Sequence, residues 1–131
     1  TQRSIHQETC VNESISKRLV YENYQISSAV VGTNTIRSRK IKQGRIYKSL
    51  VVSVENETTT YTLLSVGIYE NGVFYKYFCE ANPAVGECYF TTDEILLRQG
   101  QQLQAVLDGC TLGDSIKMYI HGFWDTIKWE E

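Results

Sequence analysis

The dipeptide Asn71-Gly72, set between Thr60–Tyr69 and Val73–Cys79, constrains this chain more than any other feature. Both flanking runs are β-branched and aromatic, and a type I′ turn needs positive φ at both central positions, which Asn-Gly supplies. The pattern predicts an antiparallel hairpin turning after Glu70. Along its first strand Leu63, Ser65, Gly67 and Tyr69 share one face, and Leu64, Val66 and Ile68 share the other, the expected core face. Tyr47–Val54 has the same composition and lies just upstream, across Glu55–Thr59, so a three-stranded antiparallel meander is expected.

Downstream the period changes. After a brief strand Cys88–Phe90, the residues Leu96, Gly100, Leu103, Val106 or Leu107, and Cys110 recur at spacings of three and four, with Arg98, Gln101, Gln102, Gln104 and Asp108 opposite. That stripe predicts one amphipathic helix over 92–110, capped by Thr92, Asp93 and Glu94 and ended by Gly109 and Gly113. Gly100 in its middle costs about 1 kcal/mol against alanine, which implies close approach by a sheet or another helix. Ser115–His121, a turn at Gly122–Asp125, and a closing strand to Trp129 form a C-terminal hairpin over 115–129. Residues 1–18 are read as an extended polar arm and 19–90 as strands and meander, with a short helix over Ser14–Tyr24 as the competitor. The expected fold is therefore mainly β with one helix (α+β): an OB-fold-like antiparallel barrel plugged by that helix, in a single domain of 131 residues.

Four cysteines without a Cys-x-x-Cys, and His6 and His121 in no ligand spacing, favour two disulfides over a metal site. Of three pairings, Cys79–Cys88 ties neighbouring strands, and Cys10–Cys110 pins the arm to the helix end. The latter loop of about 100 residues is worth roughly 4–5 kcal/mol on the loop-entropy model. An oxidising compartment, periplasmic or extracellular, follows. A start at Thr1-Gln2-Arg3 fits a mature chain whose signal peptide has been removed, or a trimmed one. No apolar run approaches membrane-spanning length. Asn12-Glu13-Ser14 and Asn56-Glu57-Thr58 match the N-glycosylation pattern.

Net charge is −2 but unevenly spread: residues 1–54 hold nine Lys/Arg against three acids, and residues 55–131 hold four against twelve. Arg37, Arg39, Lys40, Lys42, Arg45 and Lys48 form a basic run with no acid between Glu22 and Glu55. Such a run is either a solvated edge that resists sheet pairing or a contact for an anionic partner.

The run Tyr77-Phe78-Cys79, then Cys88, the expected helix, and Leu112–Trp124 with its Gly-Asp turn and Ile116-Lys117-Met118-Tyr119-Ile120-His121 strand, follow in the order seen in one family. Over residues 73–124 the chain resembles the receptor-binding B subunits of pertussis-like bacterial toxins, of the subtilase cytotoxin and typhoid toxin type. The resemblance implies a secreted homopentameric ring of OB-fold subunits that binds cell-surface glycans and carries a catalytic A subunit, its helices lining a pore. Residues 1–45 have no counterpart there, and the cysteine plan differs, so no sugar-binding residue is carried over by position.

No Gly-rich phosphate loop, Gly-x-Ser-x-Gly or His-Glu-x-x-His occurs, and Asp93 and Glu94 are adjacent rather than paired. The chain is read as a non-enzyme with no cofactor: a secreted glycan-recognition module whose contact aromatics are Tyr69, Tyr75, Tyr77, Phe123 and Trp124. The alternative is an extracytoplasmic protein-binding protein (an inhibitor, immunity partner or secretion component) using Arg37–Lys48. Nucleic acid is disfavoured by the net negative charge.

Overall fold

The computed structural model describes residues 17–91 and 94–126. Within them the regular structure is entirely β: β1 (Lys17–Ile26), β2 (Gly32–Arg37), β3 (Arg45–Asn56), β4 (Leu63–Glu70), β5 (Val73–Ala81), β6 (Tyr89–Thr91), β7 (Ile95–Leu97), β8 (Gln102–Cys110) and β9 (Ile116–Thr126). Two antiparallel sheets face each other, one ordered β1-β9-β3 with β6 and β7 on the far side of β3, the other ordered β2-β8-β4-β5. Apart from the β4–β5 hairpin and the step from β6 to β7, each connection passes from one sheet to the other. This is a double-sheet jelly-roll sandwich, not a helix-plugged barrel.

The hairpin forms where the sequence places it. Glu70 pairs with Val73, and Asn71 and Gly72 take φ of 50° and 80°. Leu64, Val66 and Ile68 point into the core. The meander does not form, because β3 and β4 lie in different sheets.

The expected helix over 92–110 is two strands in different sheets. β7 lies along β3, a bend follows at Gly100 (φ +83°), and β8 runs through the middle of the other sheet between β2 and β4. The inward set is Leu103, Ala105 and Leu107, a period of two that the three-and-four stripe had masked. Leu96, placed on the helix stripe, is solvent-exposed. Gly109 adopts φ +80°, and a Cβ there would meet the Thr62 side chain at 2.5 Å. With two glycines opposing a helix and neighbours hydrogen-bonding both sides of β8, the sheet wins over the weak helical pattern.

The C-terminal hairpin is likewise replaced, as β9 runs unbroken from Ile116 to Thr126 and pairs with both β1 and β3. Gly122 lies inside it because a Cβ would sit 2.2 Å from the Lys48 carbonyl oxygen. Residues 1–16 of the arm, with Cys10, His6 and Asn12, the end of the expected hairpin at 127–129 and the last two residues lie outside the described residues, as do Thr92 and Asp93.

Ile116, Met118 and Ile120 of β9 meet Val52 and Val54 of β3 and the inward residues of β4 and β8 in one core. Each fully buried aliphatic side chain contributes about 1.5–3 kcal/mol. A bulge at Leu50 resets the phase of β3, so Tyr47 and Ser49 face inward before it and Val52, Val54 and Asn56 after it. At the Asn56 end the core is closed by a polar node. The buried Asp114 Oδ2 accepts from Asn56 Nδ2 (2.9 Å), Thr59 Oγ1 (2.6 Å) and the Thr111 amide (2.8 Å). Asn56 Oδ1 in turn accepts from the Thr58 and Thr59 amides. Asn56 is thus a fully buried structural residue, not a glycan acceptor.

Candidate functional site

The residues singled out in the sequence fall into three places. β5 is an edge of its sheet, and most of its nine residues are exposed, among them Val73 (48%), Tyr75 (56%) and Tyr77 (57%). The β4–β5 register shifts between Val66 and Gly67, which makes Tyr77 the unopposed residue of a bulge. Gly67 permits this approach, since a Cβ there would lie 1.9 Å from the Tyr75 carbonyl oxygen. Tyr69, one strand inward, is half-buried beneath the Arg37 guanidinium, 3.8 Å from its ring centroid. Arg37 also donates through Nε to Gln104 Oε1.

Phe123 and Trp124 are neighbours on β9 and therefore point to opposite faces. Phe123 lies on the outer face of the β1-β9-β3 sheet, with Lys48 5.9 Å from its ring centroid, and Lys48 pairs with Glu94 at 3.0 Å. On the same face Tyr21 stacks on His121 with ring centroids 4.5 Å apart, beside a shallow groove of about 340 Å³ that Tyr119 also lines. Tyr119 donates to Glu55 (2.8 Å). Burial and this bond to a carboxylate push its pKa up to about 12.

Trp124 faces the other way, into a cleft of about 360 Å³ at the end of the sandwich opposite Asp114. The loop 38–44, between β2 and β3, forms one wall and β1 the other. Arg39, Lys40, Lys42 and Arg45 line it, so four of the six basic residues converge there, while Arg37 and Lys48 lie elsewhere. Arg45 sits 3.9 Å above the Trp124 ring, and Arg39 pairs with Glu22 at 2.7 Å. That hydrogen bond and the carboxylate charge raise the Arg39 pKa. Nothing in the local pattern marks Glu22 or Tyr47 as cleft residues. Both are brought in by the inward face of β1 and β3, and Tyr47, 6% exposed, has a buried hydroxyl with no hydrogen-bond partner. Burial first, then the nearby Glu22 charge, raises its pKa.

The Cys79–Cys88 disulfide is not formed, and Cys79, Cys88 and Cys110 are free thiols; the Cys10–Cys110 pairing rests on Cys10, outside the described residues. Cys79 lies on β5, and Cys88 precedes β6 in the facing sheet, so the two do not sit on neighbouring strands. Cys88 donates to Glu55 Oε2 (3.2 Å), and burial with this bond pushes its pKa up to about 11. Cys110 is buried and donates to the Leu107 carbonyl. Among the described residues no group of His, Cys, Asp and Glu could hold a metal ion, and no helix is long and apolar enough to cross a membrane.

No protein-family model and no curated protein matches the chain. Among solved structures, it is similar to a subunit from the disulfide-linked pili of Bacillus endospore appendages (15% identity, TM-score 0.45, covering 86% of this chain and 91% of that one). It is also similar to a chain of infectious bursal disease virus, Gx strain (12%, TM-score 0.43, 85% of this chain and 32% of that one). A third likeness is to CBM4 (12%, TM-score 0.39, 85% and 78%). None of these is a toxin B subunit, and likeness at this level carries no functional argument.

Proposed function

We propose that this protein is a non-enzymatic, extracytoplasmic module that works by association, with the open edge of β5 accepting a strand from a second copy. The observation that carries the reading is the edge itself. Its exposed Val73, Tyr75 and Tyr77 stand beside main-chain groups with no neighbouring strand among the described residues, which is the template for strand addition. Lys76, Glu80 and the bulge at Tyr77 limit indiscriminate pairing and fix the register of a selected partner. The other long edge, β1, belongs to the facing sheet. A contact joining one kind of edge to the other is heterologous and propagates into a ring or an open chain. The toxin-like ring drew its pore from a helix over 92–110, and with strands there the association reading needs only an edge.

Light scattering on the purified chain tests this. The expected result is a mass that grows with concentration and collapses to that of a monomer in Tyr75→Lys/Tyr77→Lys. A wild-type chain that remains monomeric at high micromolar concentration overturns it.

A second reading, glycan recognition, is favoured by the outer face of the β1-β9-β3 sheet. Tyr21 (72% exposed), His121 and Tyr119 there offer ring faces beside a groove. Binding on a glycan array that is lost in Tyr21→Ala would support it, and an array without signal would remove it.

A further inference from the structure

The cleft at the open end is independent of the β5 edge. We propose that it is a binding site for a small amphiphilic anion, a carboxylate or sulfonate head on an apolar ring body. Among the described residues four cations line the cleft against one carboxylate, Glu22, and Glu22 is already held by Arg39 at 2.7 Å. Lys40 and Lys42 have no acidic partner among the described residues, and Arg45 rests on the Trp124 ring at 3.9 Å. A guanidinium stacked in this way keeps its edge N–H groups for an anion.

The floor specifies the rest of the ligand. Leu97, Leu103 and Ile120 close the cleft, and all three are buried aliphatic side chains that offer no hydrogen bonds. A sugar would lose its hydroxyl partners against them, whereas an apolar ring gains. Tyr47 lines the wall with its ring, its hydroxyl being buried beside Gly122. A volume of about 360 Å³ falls at the small end of ligand cavities, which run roughly 300–1,000 Å³.

The rim is also held in place. The Ser38 amide donates to Leu103 O (2.9 Å), the Ile41 amide to Gln101 O (3.1 Å) and the Gly100 amide to Ile41 O (2.9 Å). Ser38 Oγ accepts from the Leu103 amide (2.9 Å). The cations are therefore presented on an anchored loop rather than a free one, which lowers the ordering cost of binding.

Titration with 8-anilinonaphthalene-1-sulfonate, followed by fluorescence and by competition, tests the assignment. The expected result is one saturable site, displaced by 1-naphthoate and far less by 1-naphthalenemethanol. Lys42→Met and Arg45→Met should each weaken it about tenfold, the loss of one charged hydrogen bond. Lys76→Met on β5 should leave it unchanged. Absence of saturable binding, equal displacement by the alcohol, or equal affinity in Lys42→Met and Arg45→Met would overturn the proposal, the last placing the dye on the exposed edge. The Tyr75→Lys/Tyr77→Lys monomer should bind the dye as the wild type does, so association and ligand binding fail or survive separately.

Discussion

β3 joins two ends of the sandwich that handle their polar residues in opposite ways. At Asn56 the polar groups bind one another: Asp114 takes three hydrogen bonds on Oδ2 while its buried Oδ1 takes none, and Asn56 both donates to it and accepts from two amides. At Arg45 the loop and the start of β3 carry four cations over a cleft that, among the described residues, holds one carboxylate. Both ends close the same core, so covering the core does not require the second arrangement. The difference lies in the charges: the first end holds its carboxylate in hydrogen bonds from the fold, and the second leaves Lys40 and Lys42 without an acidic partner among the described residues.

The strongest test of the contrast is Asp114→Ala, which strips the acceptor from Asn56, Thr59 and Thr111 and should cost about 4 kcal/mol in urea unfolding, since each buried donor left unpaired costs ~1–3 kcal/mol. The same carboxyl gives a pH signature. Burial pushes its pKa up, but hydrogen bonds from Thr59, Asn56 and the Thr111 amide outweigh burial and hold it below the usual aspartate value. A depressed folded-state pKa contributes stability that is fully present above the unfolded value of about 3.9 and is lost as pH falls through the folded one. Acid unfolding below about pH 4 should therefore flatten in Asp114→Asn.

Gly122→Ala comes next, at about 2–3 kcal/mol by thermal denaturation, the usual cost of overpacking, because its methyl would meet the Lys48 carbonyl. It would show that the open end is rigid in its backbone and open only in its side chains. By contrast, Lys42→Met should change stability by less than about 0.5 kcal/mol, and a large loss would break the comparison by making that cation structural. The smallest effect is kinetic. With maleimide at pH 8, the exposed Cys79 should label first, Cys88 at least about tenfold more slowly because its thiolate is disfavoured, and the buried Cys110 last.

The β4–β5 hairpin was legible because Asn71-Gly72 encodes a backbone conformation locally, and the inward set Leu64, Val66 and Ile68 because alternation survives in a central strand. The strand identity of 95–110 was not. Leu103, Ala105 and Leu107 do alternate, but Leu96, Gly100 and Val106 complete a helical stripe equally well, and only pairing with β2 and β4, contacts remote in sequence, decides between them. Gly100 and Gly109 carried the missing signal, since both need positive φ that a helix denies. The basic run was visible as charge, yet its division among three faces follows from where β2 ends and β3 begins. Glu22 and Tyr47 reach the cleft only through the packing of two sheets. Cys79–Cys88 followed from reading their strands as neighbours, and only the assembled sheets show that β5 and β6 are not.

Because most connections cross from one sheet to the other, native contacts mostly join distant parts of the chain, and loop closure must precede the gain from burial. The β4–β5 hairpin is the one unit able to form quickly by itself. During refolding its outer strand is then presented before the opposite sheet is complete, so recovery should fall as protein concentration rises. The strand that equips the native molecule to associate is also the one on which premature, misregistered association would start.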